Sequence, residues 1–487
     1  MSKLLKFVFV SLSLFAICAC GSGGGGGSVL PSGGDTDTSG TPDTPGIPET
    51  PASSTPGDLG PLTDLGDLLG SVGHNWYYTK AAAINDAGQI VGQSNAGSPV
   101  KAAFMWDPVS STMIELGIHS GAFDDYYGLK STPSTNYFIY SEAVRINNSG
   151  LVIGHSTTGT GWPIEAEKRA FLWHPTAGFI DLAPPPYVDD SGKIIINSFS
   201  QAADINNLGE VVLTADDEKG RHAYYWDGVS FTIRTLTRED SSTLDIVVPD
   251  LIMLGRIVNQ DGEAVAINEN GQAVINSGDT AVFHDLDLDV IESLNHLPGA
   301  SSTRAVDINN QGSGRGHIVG TSGDRGFFWD GGAMYPIDTL GGDSSEAVDI
   351  NDLDQVVGNA RTANGSTHAF LWRLGADGKG VIADLGTLGG ANSYAVAIND
   401  AGQITGYSET GETYSEGGVT INVRHAFLWH AGTMYDLGTH NDFFSYPFMP
   451  PYPGSEAAGI NASGEVAGNS ITINSHPRGF SLSPVFP

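Results

Sequence analysis

Short apolar runs set off by Asn, Asp and Gly recur along this chain from about residue 61 to its end. The clearest unit runs from Tyr394 to Gly438. It holds four such runs: Ala395 to Ile398, Gln403 to Gly406, Ala426 to Trp429 and Met434 to Leu437. Runs this short, bounded by turn formers, suit strands rather than helices. Between the first two lies Asn399-Asp400-Ala401-Gly402, whose Gly can take the positive φ that a short bulged hairpin needs. The third run, Phe427-Leu428-Trp429, is apolar at consecutive positions, so its strand should be covered on both faces. One small sheet cannot cover itself. Repetition at this period therefore predicts stacked sheets, each shielded by its neighbours, as in a β-propeller.

An Ile-Asn pair marks each first hairpin: Ile84-Asn85, Ile146-Asn147, Ile205-Asn206, Ile267-Asn268, Ile308-Asn309, Ile350-Asn351, Ile398-Asn399 and Ile460-Asn461. The third-strand aromatic motif accompanies most of them, but units four and eight carry His284 and Leu482 in the Trp position. The last unit lacks a fourth run, while Leu62-Thr63-Asp64-Leu65-Gly66 precedes the first unit with no hairpin before it. The orphan fits the vacancy. An all-β ring of eight four-stranded blades follows, closed by the amino-terminal strand, with no exposed sheet edge. Seven blades is the alternative if two degenerate units merge.

Residues 61–487, with Ile-Asn-Asp-x-Gly-Gln-x-x-Gly, Asp-Leu-Gly-Thr-Leu-Gly-Gly and the triplets His368-Ala369-Phe370 and His425-Ala426-Phe427, resemble the HAF-repeat family of bacterial extracellular proteins. That resemblance implies an exported, β-rich protein and no particular activity.

The amino terminus changes the setting. Residues 1–19 carry Lys3 and Lys6 ahead of an apolar core from Phe7 to Ile17, too short to span a bilayer, and read as an export signal. Ile17-Cys18-Ala19-Cys20-Gly21 resembles a lipoprotein lipobox, which makes Cys20 the expected lipidation site; Cys18 is the competing candidate. By analogy with that class, Gly rather than Asp at position 21 favours the outer membrane. Residues 20–60 are rich in Gly, Ser, Thr, Pro and Asp and read as a disordered tether, which at about 40 residues would span roughly 35 Å. No cysteine remains in residues 61–487 for a disulfide or thiolate site. Removing the leader takes the formal net charge from −33 to about −35, which argues against nucleic acid or anionic membrane as partners.

Loop lengths are uneven. First-to-second and third-to-fourth connections are short, such as Asp227-Gly228, whereas second-to-third connections and those leading to the next unit swell. In a propeller the swollen sets share one face, and long loops on a rigid scaffold commonly carry function. Three neighbouring loops there are aromatic. They supply the candidate ligand-binding residues: Trp76, Tyr77 and Tyr78 before unit one; Asp124, Asp125, Tyr126, Tyr127 and Tyr137 before unit two; Phe443, Phe444, Tyr446 and Tyr452 before unit eight. Clustered rings of this kind suit a glycan or a protein hot spot, though they would serve equally to pack the loops onto the disc.

Other chemistry is sparse. The repeated Asn reads as an Asx turn. The position opening the third strand varies among Ala102, Arg169, His222, Thr280, Arg325, His368, His425 and Arg478, which suits edge hydrogen bonding and not a metal ring. Asp285-Leu286-Asp287-Leu288-Asp289 alternates as a strand would and lacks the Gly and closing Glu of a calcium loop. No cofactor is expected; calcium in an acidic loop is the one metal left open. There is no nucleophile elbow, His-Glu-x-x-His pair or phosphate loop. The expected function is a surface lipoprotein that binds a glycan or protein through its insertion-rich face. The alternatives are an extracellular polysaccharide hydrolase or lyase, with a catalytic carboxylate pair, and a passive surface component.

Overall fold

The computed structural model describes residues 52–54, 59–69, 78–96, 101–117, 140–157, 168–184, 187–188, 194–195, 199–217, 220–237, 243–254, 261–311, 314–416, 419–439, 454–471 and 477–486. They form eight four-stranded antiparallel blades. Units four and eight each build a complete blade despite lacking the Trp, so the seven-bladed alternative is excluded. Blade 1 runs through Thr79–Ile84, Ile90–Asn95, Lys101–Asp107 and Thr112–Gly117. Blade 2 runs through Ser141–Ile146, Val152–Thr157, Lys168–His174 and Gly178–Asp181. The others repeat this order, and the first strands neighbour one another right round the axis, blade 8 meeting blade 1.

Closure occurs where the orphan run was expected to go. Thr63–Asp64 pairs with the third strand of blade 8, Thr63 opposite Ser481 and Asp64 opposite Phe480. Leu65 N donates to Gly479 O at 3.1 Å, and Arg478 reaches Asp64 at 2.6 Å. Leu65 is buried in the seam between blades 8 and 1 with Ala81, Ile90, Phe104 and Ala467.

A second ring of bonds closes the disc independently. In seven blades the Asn of Ile-Asn accepts two backbone N–H groups through Oδ1, as Asn85 does from Ala87 and Gln89, and in blade 7 Asn399 accepts that of Gln403. Its Nδ2 then donates to the backbone O of the corresponding Asn in the next blade, at 2.9–3.1 Å, from Asn85 to Asn147 and so on until Asn461 returns to Asn85. The Asx-turn reading thus covers half of what this residue does. All eight are buried, where a peptide carbonyl left unpaired would be costly.

A bulge in each first strand, between Ala395 and Ala397 in blade 7, turns a carbonyl towards the second strand. A Cβ on Gly406 would lie 2.0 Å from Tyr394 O and 2.9 Å from the Phe427 ring, which is why Gly and Phe recur as a pair in six blades.

Three expectations are corrected. Asp227-Gly228 does not lead to a fourth strand: a hairpin of Phe231–Thr237 and Thr243–Pro249 intervenes, and Ile252–Met253 completes blade 3. That insertion leaves from the side of the Asn turns, so the plain face is not wholly plain. In the acidic run, only Asp285 belongs to a strand; residues 286–289 form a turn. Finally, part of the presumed tether sits on the disc: Ala52–Ser54 adds a fifth, parallel strand to blade 7, and Leu59 is buried against Ala426 and Leu428.

Candidate functional site

The first strands line the axis. Their lumen-facing residues nearest the long-loop side are Lys80, Glu142, Gln201, Glu263, Arg304, Glu346, Tyr394 and Glu456, a mixed set and not one repeated residue. Behind each of these, on the second strand, lies Gln93, His155, Thr214, Asn276, Thr321, Asn359, Tyr407 or Asn469. Most of this second set ties its blade to the next. Asn276 bonds both N and O of Ala305, Asn469 bonds both N and O of Ala81, Asn359 accepts from Ala395 N, Thr214 accepts from Ala264 N, and Gln93 donates to Ser141 O. His155 does not. Both its ring nitrogens are buried without a hydrogen-bond partner, and its side chain is 6% exposed. A pair of stranded buried polar atoms costs stability and asks for an explanation.

Around His155 the mouth of the axis gathers unusual chemistry. Glu142 stands opposite it on the neighbouring strand, with an oxygen 3.7 Å from His155 Nε2 and another 3.7 Å from Lys80 Nζ. The Tyr140 hydroxyl donates a short hydrogen bond to Glu142. The Tyr140 and His155 rings lie 6.0 Å apart. Lys101, whose backbone bridges to Tyr140, sets its ammonium 3.4 Å over the Tyr78 ring.

The electrostatics follow from burial. Desolvation pushes the His155 imidazole down to about 4, against the opposing pull of Glu142 and with help from Lys168, so the ring is neutral at ordinary pH. Burial, then the bond to Glu142, raises the Tyr140 phenol, which stays protonated. Burial lowers Lys101, Lys80 adds to the depression, and Glu142 opposes it. The assembly offers ammonium groups, two phenol rings, one carboxylate and an uncharged base. It can hold an anion and can pass a proton.

The other polar clusters serve the scaffold. At the bulges, Asp204, Asp307 and Asp349 accept the backbone N–H of Ile267, Ile350 and Ile398 in the next blade. Burial raises all three, and Asp307 and Asp349 hydrogen-bond each other, which places a proton between them. The His of the third strand pairs with the Asp of Asp-Leu-Gly in the fourth: His368 with Asp384 at 2.8 Å and His425 with Asp436 at 2.9 Å. Arg169 and Arg478 do the same with Asp181 and Asp64. The edge-bonding reading of that position holds. Among the described residues no group of three His, Cys, Asp or Glu is placed to hold a metal ion.

Of the sequence-predicted ligand residues, Tyr78 is described, half-buried beneath Lys101. Trp76, Tyr77, Asp124, Asp125, Tyr126, Tyr127, Tyr137, Phe443, Phe444, Tyr446, Tyr452 and the lipidation candidate Cys20 lie outside the described residues. Sequence reasoning missed Lys80, Lys101, Glu142 and His155. Stacking the eight units column by column would have exposed His155, as a His where five blades place Asn, Gln or Thr to bridge.

No protein-family model matches the chain, and no curated protein does. Solved structures similar to it are propellers of low identity. The WD40 domain of SCAP from fission yeast is 10% identical, covering 88% of this chain and 99% of that one, with a TM-score of 0.40. The RRP9 WD40 repeats are 11% identical, covering 69% and 91%, with a TM-score of 0.36. A PL25 ulvan lyase bound to a glucuronate-containing disaccharide is 10% identical, covering 84% and 95%, with a TM-score of 0.31.

Proposed function

We propose that this protein is an exported, lipid-anchored binding module that captures a glycan or protein partner through the loop-bearing face of its propeller. The observation that carries this reading is the assembly of Tyr78, Lys80, Lys101, Tyr140 and Glu142 where the long loops of blades 1 and 2 arise. Anchoring through Cys20, placement at the outer membrane or cell surface, and kinship with HAF-repeat proteins belong to the same proposal and rest on sequence. The test is capture by the full chain in detergent micelles across glycan arrays and surface-protein extracts, with Tyr140→Ala as the control. Saturable capture lost in that variant sustains the reading; equal capture by both proteins sinks it. Metabolic palmitate labelling, abolished by Cys20→Ala, tests the anchor.

A second reading is favoured by one observation. A buried imidazole kept neutral beside a carboxylate and a phenol is an arrangement suited to general acid-base work, so an enzyme acting on an extracellular polysaccharide is the alternative. Product release from a bound glycan, abolished by His155→Gln, would establish it.

A further inference from the structure

We infer that the mouth of the axis between blades 1 and 2 binds an acidic polysaccharide, seating a sugar carboxylate at Lys80 and Lys101 and the sugar's apolar face against the Tyr78 and Tyr140 rings. This deepens the binding reading above and rests on it.

Charge placement is the first support. The chain has nine lysines and a formal net charge of −33, and two of the nine lie in the leader. Three of the remaining seven, Lys80, Lys101 and Lys168, act on one another or on His155 across this one mouth. Gathering like charges is unfavourable unless an anion is to be met there. Glu142 offsets part of it, lying 3.7 Å from Lys80 and accepting from Tyr140. Among the described residues no carboxylate lies within ion-pair distance of Lys101, whose contact is the face of Tyr78. Burial keeps His155 uncharged, so it neither competes with the lysines for an anion nor neutralises Glu142.

Among the described residues the neighbouring blades add no uncommitted carboxylate at this point. On one side the corresponding residue is Gln201; on the other, Glu456 is engaged by Arg424. An ammonium already partly stripped of water, and short of a counter-ion, gains more from an arriving carboxylate than a solvated one would. The aromatic rings decide the class of anion. A pyranose ring offers C–H groups to a phenol face beside its carboxylate, whereas an acidic peptide offers carboxylates on flexible stems with no such face.

The experiment is affinity electrophoresis of the full chain in detergent through gels containing polygalacturonate, neutral dextran or polyglutamate. Polygalacturonate is expected to retard the protein, with apparent affinity falling at least tenfold between 50 and 500 mM salt, while dextran and polyglutamate leave it free. Lys101→Met, which keeps the contact with Tyr78 and removes the charge, should lose at least tenfold in affinity. Lys101→Arg should retain binding, and Lys379→Met on blade 6 should match the parent. Unchanged melting of each variant excludes misfolding. Equal retardation by dextran, or binding by Lys101→Met as strong as the parent's, overturns the acidic-sugar assignment while leaving the binding module standing. Retardation by polyglutamate equal to that by polygalacturonate overturns the sugar and keeps the charge. Absence of any captured glycan or protein overturns both.

Discussion

The two ends of the axis are built from the same strands and behave oppositely. On the turn side, one residue type occupies all eight positions, each Asn grasping the carbonyl of the next. On the loop side the eight lumen-facing residues include two cations, four acids, a Gln and a Tyr. The difference is one of partner. A backbone carbonyl is identical in every blade, so a single side chain satisfies it eight times over. At the other mouth the side chains face solvent or something arriving from it, and closure places no demand on them. Repetition therefore marks scaffold, and departure from it marks where selection of another kind has room to act. His155 belongs to the second group although it sits in a position that mostly belongs to the first.

The largest effect should come from undoing closure itself. Deleting residues 59–66 removes the buried Leu59 and Leu65 and the Asp64–Arg478 pair. Two buried leucines alone are worth about 3–6 kcal/mol, so calorimetry should show a melting point lowered by many degrees, and limited proteolysis should reveal early cutting in blade 8. A near-parental melt would show that the Asn ring suffices. Next comes the ring. Asn309 accepts from the N–H groups of Gln311 and His317 and donates to Asn351 O, all of which would lose this partner in Asn309→Ala, while Asp354 would keep His317. Denaturant unfolding should register a loss of about 2–4 kcal/mol.

The third test moves the other way. His155→Asn restores the side chain that other blades use to bridge, with Ala202 of blade 3 as the waiting counterpart. Relieving two stranded nitrogens should stabilise the protein by about 1–3 kcal/mol. It should also change the acid limb. Because the folded His155 titrates near 4 and an unfolded one near 6.5, the unfolded state binds more protons between those values, and stability falls as pH drops from 6.5 to 4. This group's share of that loss is about 3 kcal/mol at most, and the variant should lose it. An unchanged pH profile would mean His155 is not held neutral.

The smallest effect concerns a repeated pair. His368 is raised, chiefly by its bond to Asp384, so its contribution is complete below the unfolded value and fades as pH rises through the folded one. His368→Gln should cost less than about 1 kcal/mol at pH 6 and nothing measurable at pH 9.

Much of the fold could be read from sequence because its determinants are local or repeated. The Ile-Asn count gave the blades, and the run at Leu62 beside a last unit without one gave closure. What sequence could not supply depended on distant partners. Phe231–Thr237 alternates as a good strand, and only pairing with Thr243–Pro249 reveals that it belongs to an insertion and not to blade 3. Asp285 to Asp289 has strand-like alternation, yet Asp285 Oδ1 accepts Leu288 N and folds the run into a turn. The site was harder still. Lys80, Lys101, Glu142 and His155 are ordinary residues in their own segments and acquire meaning when adjacent blades set them side by side.

The amino-terminal segment attaches twice, first as Ala52–Ser54 on the edge of blade 7 and then as Thr63–Asp64 inside blade 8. Tension entering from residue 51 would meet the outer attachment before it could reach the inner one. If the chain is anchored as proposed, the peripheral strand would act as strain relief, much as a cable clamp spares the plug: a pull would peel a three-residue ladder from blade 7 while the seam of the ring stays shut.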